Sequence, residues 1–176
     1  LKEPLAKQAL NDNRRRIHTK AAVHRKLFET ETYADNALDK YLQSTLRMFS
    51  QELAAWKIDL QLNIRAVQVS LDQAIPFGLI VSELLSNAAR HAFPVGAVDK
   101  PKIEVSLYQQ KNHVVFQVED NGVGLPNNFD TLCQQNLGIS IASSLTQQLD
   151  GKMTVDSANS PEVGSIARLE FPLVHD

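Results

Sequence analysis

The 176 residues are 43% hydrophobic and 22% charged, the composition of a soluble globular protein with enough apolar side chain for a real core. A net charge of −2 from 18 basic and 20 acidic side chains leaves no cationic excess for phosphate backbones, which argues against nucleic acid as the main partner. The single cysteine, Cys133, excludes an internal disulfide and a thiolate zinc cluster, and no run approaches the roughly 20 apolar residues of a membrane span.

Taken in chain order, the opening Leu1-Lys2-Glu3-Pro4 reads as mid-domain chain and not as a signal peptide, and the expectation is a piece of a longer protein. Leu10, Ile17, Ala21, His24 and Phe28 follow the spacing of a helix that packs on another helix. The basic run Arg14-Arg15-Arg16, with Lys20, Arg25 and Lys26, points several ways on that helix. It reads mainly as a solvated face, with a docking surface for an acidic protein as the alternative. Asp35 looks like a helix cap, ahead of a second amphipathic stripe at Leu38, Leu42, Leu46, Phe49, Leu53 and Trp56.

At Ile58 the period changes to two: Ile58, Leu60, Leu62 and Ile64 alternate with polar residues, as in a half-buried strand. Asp72 is expected to cap the next helix, which runs to about His91 with Pro76 in its first turn or so. Ile103, Val105 and Leu107, then Val114, Phe116 and Val118, predict a hairpin joined by residues 109–113. A polar segment, Asn127 to Asn136, precedes a helix from about Gly138 to Asp150, with Gly151 suited to its C-terminal cap. Strands near Lys152–Ser157 and Ile166–Leu173 close the chain. The order, two helices and then β, α, β, β, loop, α, β, β, predicts an α+β sandwich of antiparallel strands with helices gathered on one face.

Three stretches carry chemistry. In "ELLSNAARHAFP", residues 83–94, Leu84, Leu85, Ala88, Ala89 and Ala92 suit a buried face, yet Glu83, Asn87 and Arg90 recur at i, i+4 and i+7 with His91 beside them. By itself the stripe is either the solvent side of an amphipathic helix or a polar site needing partners. In "VEDNGVGLP", residues 118–126, Asp120 ends a strand beside Gly122 and Gly124. Such a carboxylate can accept from the amino group of a purine that the glycines let approach, but the same residues also suit a plain turn. In "NLGIS", residues 136–140, Gly138 stands at a helix start, where free N–H groups favour a phosphate.

Together these stretches resemble the N, G1 and G2 boxes of sensor histidine kinases, members of the Bergerat-fold ATPase superfamily. "AIPFGLIVSELLSNAARHAFP" is similar to the subfamily whose N box ends His-Ala-Phe-Pro. "RRRIHTKAAVHRKLF" and "LDKYLQSTLRMF" resemble its segments before the ATPase domain, and "GSIARLEFPL" its closing motif, with Ser165 where Thr is usual. The resemblance covers essentially the whole chain, and it implies an α+β fold of the Bergerat type, a mixed, mainly antiparallel sheet with helices on one face, preceded by a helical segment from a dimerisation hairpin.

The resemblance implies an ATP-binding catalytic domain over residues 35–176, behind the second helix of a dimerisation and phosphotransfer hairpin over residues 1–34. It implies that Asn87 coordinates a Mg²⁺ bridging the ATP phosphates and that Glu83 orients a metal-bound water or acts as a weak base. Arg90, where the family more often has Lys, would neutralise phosphate charge, with His91 near sugar or phosphates. Asp120 would accept from the adenine amino group in a pocket shaped by Gly122 and Gly124. Residues Leu125 to Asn136 would form the ATP lid, with Leu137-Gly138 as its hinge, and Ser165 belongs to the same nucleotide-binding set. The implied activity is transfer of the ATP γ-phosphoryl group to a histidine, for relay to a response regulator. The implied protein is a cytoplasmic homodimer, or membrane-attached in full length, without direct membrane contact by this chain.

The acceptor is the awkward part, since the helix that bears it in the family is not recognisable here. His24 lies on an apolar seam and "VHRKLF" fits the second hairpin helix better, His18 has less to recommend it, and His113 and His175 earn no role. Two alternatives stay open: an anti-sigma-type serine kinase, disfavoured by the N-terminal helices, and an ATP-independent kinase-like docking scaffold, for which Arg90 and Ser165 leave room.

Overall fold

The computed structural model describes residues 38–129, 137–158 and 164–173. The expected seam from Leu10 to Phe28, the cap at Asp35 and the stretch 130–136 of the expected lid lie outside the described residues. The described elements are α1 (Leu38–Ala55), β1 (Asp59–Ile64), α2 (Leu71–His91), β2 (Lys102–Gln110), β3 (His113–Asp120), α3 (Leu137–Gln148), β4 (Lys152–Ser157) and β5 (Ser165–Pro172).

The strands form one sheet in the order β1-β2-β3-β5-β4. β1 and β2 are parallel, because α2 carries the chain from one to the next; the other three pairings are antiparallel. This is the mixed, mainly antiparallel sheet that the resemblance implies; the residue pattern alone gives antiparallel strands. Val114, Phe116 and Val118 of β3 and Ile103, Val105 and Leu107 of β2 turn one face inward. Leu38, Leu42, Leu46 and Leu53 of α1 and Phe77, Ile80, Leu84 and Leu85 of α2 belong to the same core cluster. At its centre Phe77 meets Phe116 edge-on, with ring centroids 5.3 Å apart and planes at 83°. The two helices meet where the Tyr41 ring fills the space that a side chain on Gly78 would occupy.

Several local expectations need correction. α2 begins at Leu71 with Ser70 in the cap position, in extended conformation and without a side-chain cap bond, so Asp72 stands in the first turn, where its charge complements the helix dipole. Pro76 lies inside the helix, past the turn in which its missing N–H costs nothing. The hairpin is tighter than expected: Gln109 and Gln110 still pair with Val114 and His113, leaving Lys111-Asn112 as the turn. Trp56 follows the end of α1 and is 45% exposed. Leu62, which the alternation would half-bury, is 49% exposed because β1 is an edge strand.

Both α1 and α3 end in the same paired arrangement of backbone bonds. Ile58 N–H donates to Leu53 O and Lys57 N–H to Ala54 O, each at 3.0 Å. Gly151 N–H donates to Thr146 O at 2.9 Å and Asp150 N–H to Gln147 O at 3.0 Å. The left-handed residues are therefore Lys57 (φ 57°) and Asp150 (φ 51°), not the expected Gly151. Gly151 is required for another reason: a Cβ there would lie 2.7 Å from the carbonyl oxygen of Glu170.

Candidate functional site

α2 crosses the inward face of the sheet, and near its C-terminal end the two separate to leave a cavity of about 610 Å³. From α2 the wall takes Leu84, Asn87, Ala88 and His91, spaced i, i+3, i+4 and i+7 along one face of the helix. The sheet supplies Val118 and Asp120 from β3, Ser165 and Ala167 from β5, and Met153 and Val155 from β4. These share a face because strand side chains alternate, and cross-strand pairing sets Asp120 opposite Ser165 and Val118 opposite Ala167 and so Val155. The segment Val123 to Pro126, with Phe129 and Ile139, completes the enclosure.

Asp120 is the charged group set deepest in this wall, only 5% exposed at the end of β3. Its Oδ1 accepts from Gly122 N–H at 2.9 Å and from Ser165 N–H at 3.3 Å, and its Oδ2 accepts from Ser165 Oγ–H at 2.5 Å. Three donors satisfy a buried carboxylate that would otherwise be costly, and they fix its orientation. The fit is close. Side chains on Gly122 or Gly164 would collide with the carbonyls of Ala92 and Asp120 respectively. Val123 N–H donates to Ala92 O at 2.9 Å, so the glycine-bearing segment is tied to the end of α2. Gly124, at φ 77°, then turns the chain in a conformation that other residues rarely adopt.

Of the residues singled out in the sequence, Asn87, His91, Asp120, Gly124 and Ser165 line one cavity. Glu83, Arg90, Gly122 and Gly138 are not in its wall. Arg90 is exposed and Gly122 is buried behind the wall, where it lends its N–H to Asp120. The side chain of Leu137 lies outside the described residues. The cavity thus faces the 84/87/88/91 side of the helix, rotated from the polar 83/87/90 stripe. The apolar wall from Phe129, Ile139, Met153, Val155 and Ala167 was not singled out. Strand alternation around Asp120 and Ser165 would have found Val118 and Ala167, whereas Phe129 carries no such signal.

A mostly apolar cleft of this size, with a few fixed polar groups, suits a flat heteroaromatic ring. Among the described residues no group of three or more His, Cys, Asp or Glu side chains could hold a metal. A protein-made cage is not needed for Mg²⁺, which keeps several waters and takes phosphate oxygens; Asn87, in the cavity wall, carries an amide oxygen of the kind that could serve as a single protein ligand. No described helix is long and apolar enough to cross a membrane.

The family model for histidine kinase-, DNA gyrase B- and HSP90-like ATPases matches residues 72–175. Blue-light-activated histidine kinase 2 of Erythrobacter litoralis is 33% identical over 116 residues, which is 65% of this chain and 32% of that protein. The sensor histidine kinase PdtaS of Mycobacterium tuberculosis is 25% identical over 175 residues, covering 95% of this chain and 33% of that protein. The chain spans about a third of the length of these curated relatives. Among solved structures, the histidine kinase domain of Erythrobacter litoralis EL346 superposes with a TM-score of 0.69 at 27% identity, covering 78% of this chain and 61% of that one. A mycobacterial sensor histidine kinase, MprB, superposes with a TM-score of 0.64 at 19% identity, covering 78% and 96%.

Proposed function

The chain belongs to the family of histidine kinase-, DNA gyrase B- and HSP90-like ATPases, and from that premise we propose that it is the ATP-binding catalytic unit of a sensor histidine kinase. The observation that carries the reading is that Asn87 of α2 and Asp120 of β3 line the same cavity. One ligand can therefore meet a helix-borne amide and a strand-end carboxylate together.

The purine would lie between the apolar wall and the sheet floor, its amino group donating to Asp120. Ser165 and Gly122 hold that carboxylate in place, so recognition requires little rearrangement. The phosphates would extend toward Asn87 and His91. Mg²⁺, when bound, would neutralise phosphate charge and hold the triphosphate geometry. Phosphoryl transfer needs mainly positioning and charge neutralisation; Asn87 would supply the first and the exposed Arg90 cation, outside the cavity wall, would contribute to the second. Glu83, one turn before Asn87, would orient water near the phosphates. Gly138 and Leu137 would belong to the hinge of the segment that closes over them.

The division into a hairpin segment, residues 1–34, and an ATP-binding domain, residues 35–176, is part of this proposal. So are homodimerisation, a cytoplasmic position, a histidine acceptor on a separate helix, and relay to a response regulator. Calorimetry with ATP, with and without Mg²⁺, tests the pocket: saturable, Mg²⁺-strengthened binding is expected, and no binding would end the reading. Acid lability of the phosphorylated product would separate histidine transfer from transfer to serine.

A further inference from the structure

We infer that Asn121, which lies between the carboxylate and the first glycine of the "DNG" turn, is the positioning residue that sets base selectivity through Asp120. This inference rests on Asp120 being the group that meets the amino group of the purine.

Asn121 uses both ends of its side chain and its main chain at once. Its Oδ1 accepts from Lys102 N–H at 2.7 Å, and its Nδ2 donates to Lys100 O at 2.9 Å. Its own N–H donates to Lys102 O at 3.2 Å. One residue thus fastens the chain leaving β3 to both sides of the entry to β2, beyond the last ladder pair, Ile103 with Asp120. A side-chain amide is the group that suits this task, because it offers an acceptor and a donor in one rigid plane.

The next two residues depend on that fastening. The N–H of Gly122 donates to Asp120 Oδ1. The Gly122 Cα faces the Ala92 carbonyl so closely that no side chain fits, and Val123 N–H bonds the same carbonyl. The peptide joining Asn121 to Gly122 is therefore held from β2 on one side and from α2 on the other. Without the two side-chain bonds the β2 side keeps only the long main-chain bond from Asn121 N–H to Lys102 O, so this peptide tilts and draws the Gly122 N–H away from Oδ1. The carboxylate then keeps only its two bonds to Ser165, of which the one on Oδ1 is long at 3.3 Å, and loses the short backbone donor that fixes the tilt of Oδ1 toward the cavity. Asn121 is not in the cavity wall, so it acts on a nucleotide only through this chain of bonds.

The test compares ATP with purine riboside triphosphate, which has the same ring and phosphates but hydrogen in place of the 6-amino group. Calorimetry is run on the 176-residue wild type, on Asn121→Ala and on Asn121→Asp, with amide hydrogen exchange to report folding. Wild type should prefer ATP. Asn121→Ala should lose about tenfold in ATP affinity, the worth of one to two hydrogen bonds, and keep its affinity for the amino-free nucleotide. Asn121→Asp keeps the acceptor for Lys102 N–H and loses the donor to Lys100 O, so its ATP preference should fall between the two. If Asn121→Ala does not fold, the wild-type-to-Asp comparison decides alone. Equal losses for both nucleotides, or an unchanged preference for ATP, would overturn the role of Asn121. Failure of wild type to bind either nucleotide would instead remove the pocket reading on which it rests.

Discussion

Ser165 Oγ stands 2.5 Å from Asp120 Oδ2, and the Ser165 N–H reaches the other carboxylate oxygen at 3.3 Å. The serine where relatives of the resembled subfamily usually have threonine therefore retains the hydroxyl that matters here. Ser165→Ala should weaken ATP binding about tenfold and cost about 1–2 kcal/mol of stability, because a buried acceptor loses its donor. Ser165→Thr should leave both within about 0.5 kcal/mol, the usual range for a change that removes no interaction. Calorimetry and urea denaturation read the two effects.

Asn87→Ala should separate metal-linked affinity from folding. The side chain is half-buried in the cavity wall and its removal opens little apolar core. Stability should shift by less than about 1 kcal/mol. The strengthening of ATP binding by Mg²⁺ should fall at least about tenfold, or about 1.4 kcal/mol. ATP titrations with excess Mg²⁺ and with chelator check it; equal Mg²⁺ dependence in both proteins would refute the assignment.

Gly122→Ala should damage fold and site together. Its Cβ would meet the Ala92 carbonyl and Cβ, both backbone-anchored, so the loop or the end of α2 must move. A cost of about 1–3 kcal/mol is expected, in the range of overpacking elsewhere. Loss of ATP binding should accompany it, since the Gly122 N–H that holds Asp120 moves too. Urea midpoints and ATP titration are the measurements.

Lys57→Gly and Asp150→Gly should each stabilise. Both residues occupy the left-handed position after a helix, which costs an L-residue about 1–2 kcal/mol, offset by the about 0.5–1 kcal/mol that glycine loses in unfolded-state freedom. A rise of up to about 1 kcal/mol in urea denaturation is the expected outcome, and the two effects should add.

The strands and helices were legible wherever periodicity was clean. Val114, Phe116 and Val118 alternate and form β3; Ile80, Leu84 and Leu85 recur at helical spacing and face the core. Boundaries failed where local chemistry is ambiguous. Asp72 and Ser70 are both good cap residues, and only the fold selects Ser70. A left-handed Lys57 or Asp150 cannot be read from residue type, because glycine is the usual occupant. For the site, Asn87 and His91 stood out on a polar helix face and Asp120 at a strand end beside glycines, whereas Ser165 stood out only through the resemblance. The apolar wall did not: Met153 and Val155 look like any strand interior until β4 is known to pair with β5 beside Ser165. The parallel pairing of β1 with β2 was likewise invisible, since alternation says nothing about strand direction.

The Asp120–Ser165 contact joins positions 45 residues apart in the chain, across a pairing that β4 and α3 must precede in sequence but not in space. Closing a loop of that length carries an entropic cost that local hairpins escape. The corner proposed to meet the base is consequently absent from any partly folded chain in which β5 has detached, even if α2 and the β2–β3 hairpin survive. A nucleotide gripping that corner would bind the complete sheet and no fragment of it, and so would shift the folding equilibrium toward the whole domain. Protection of the β5 amides against exchange should then track nucleotide occupancy.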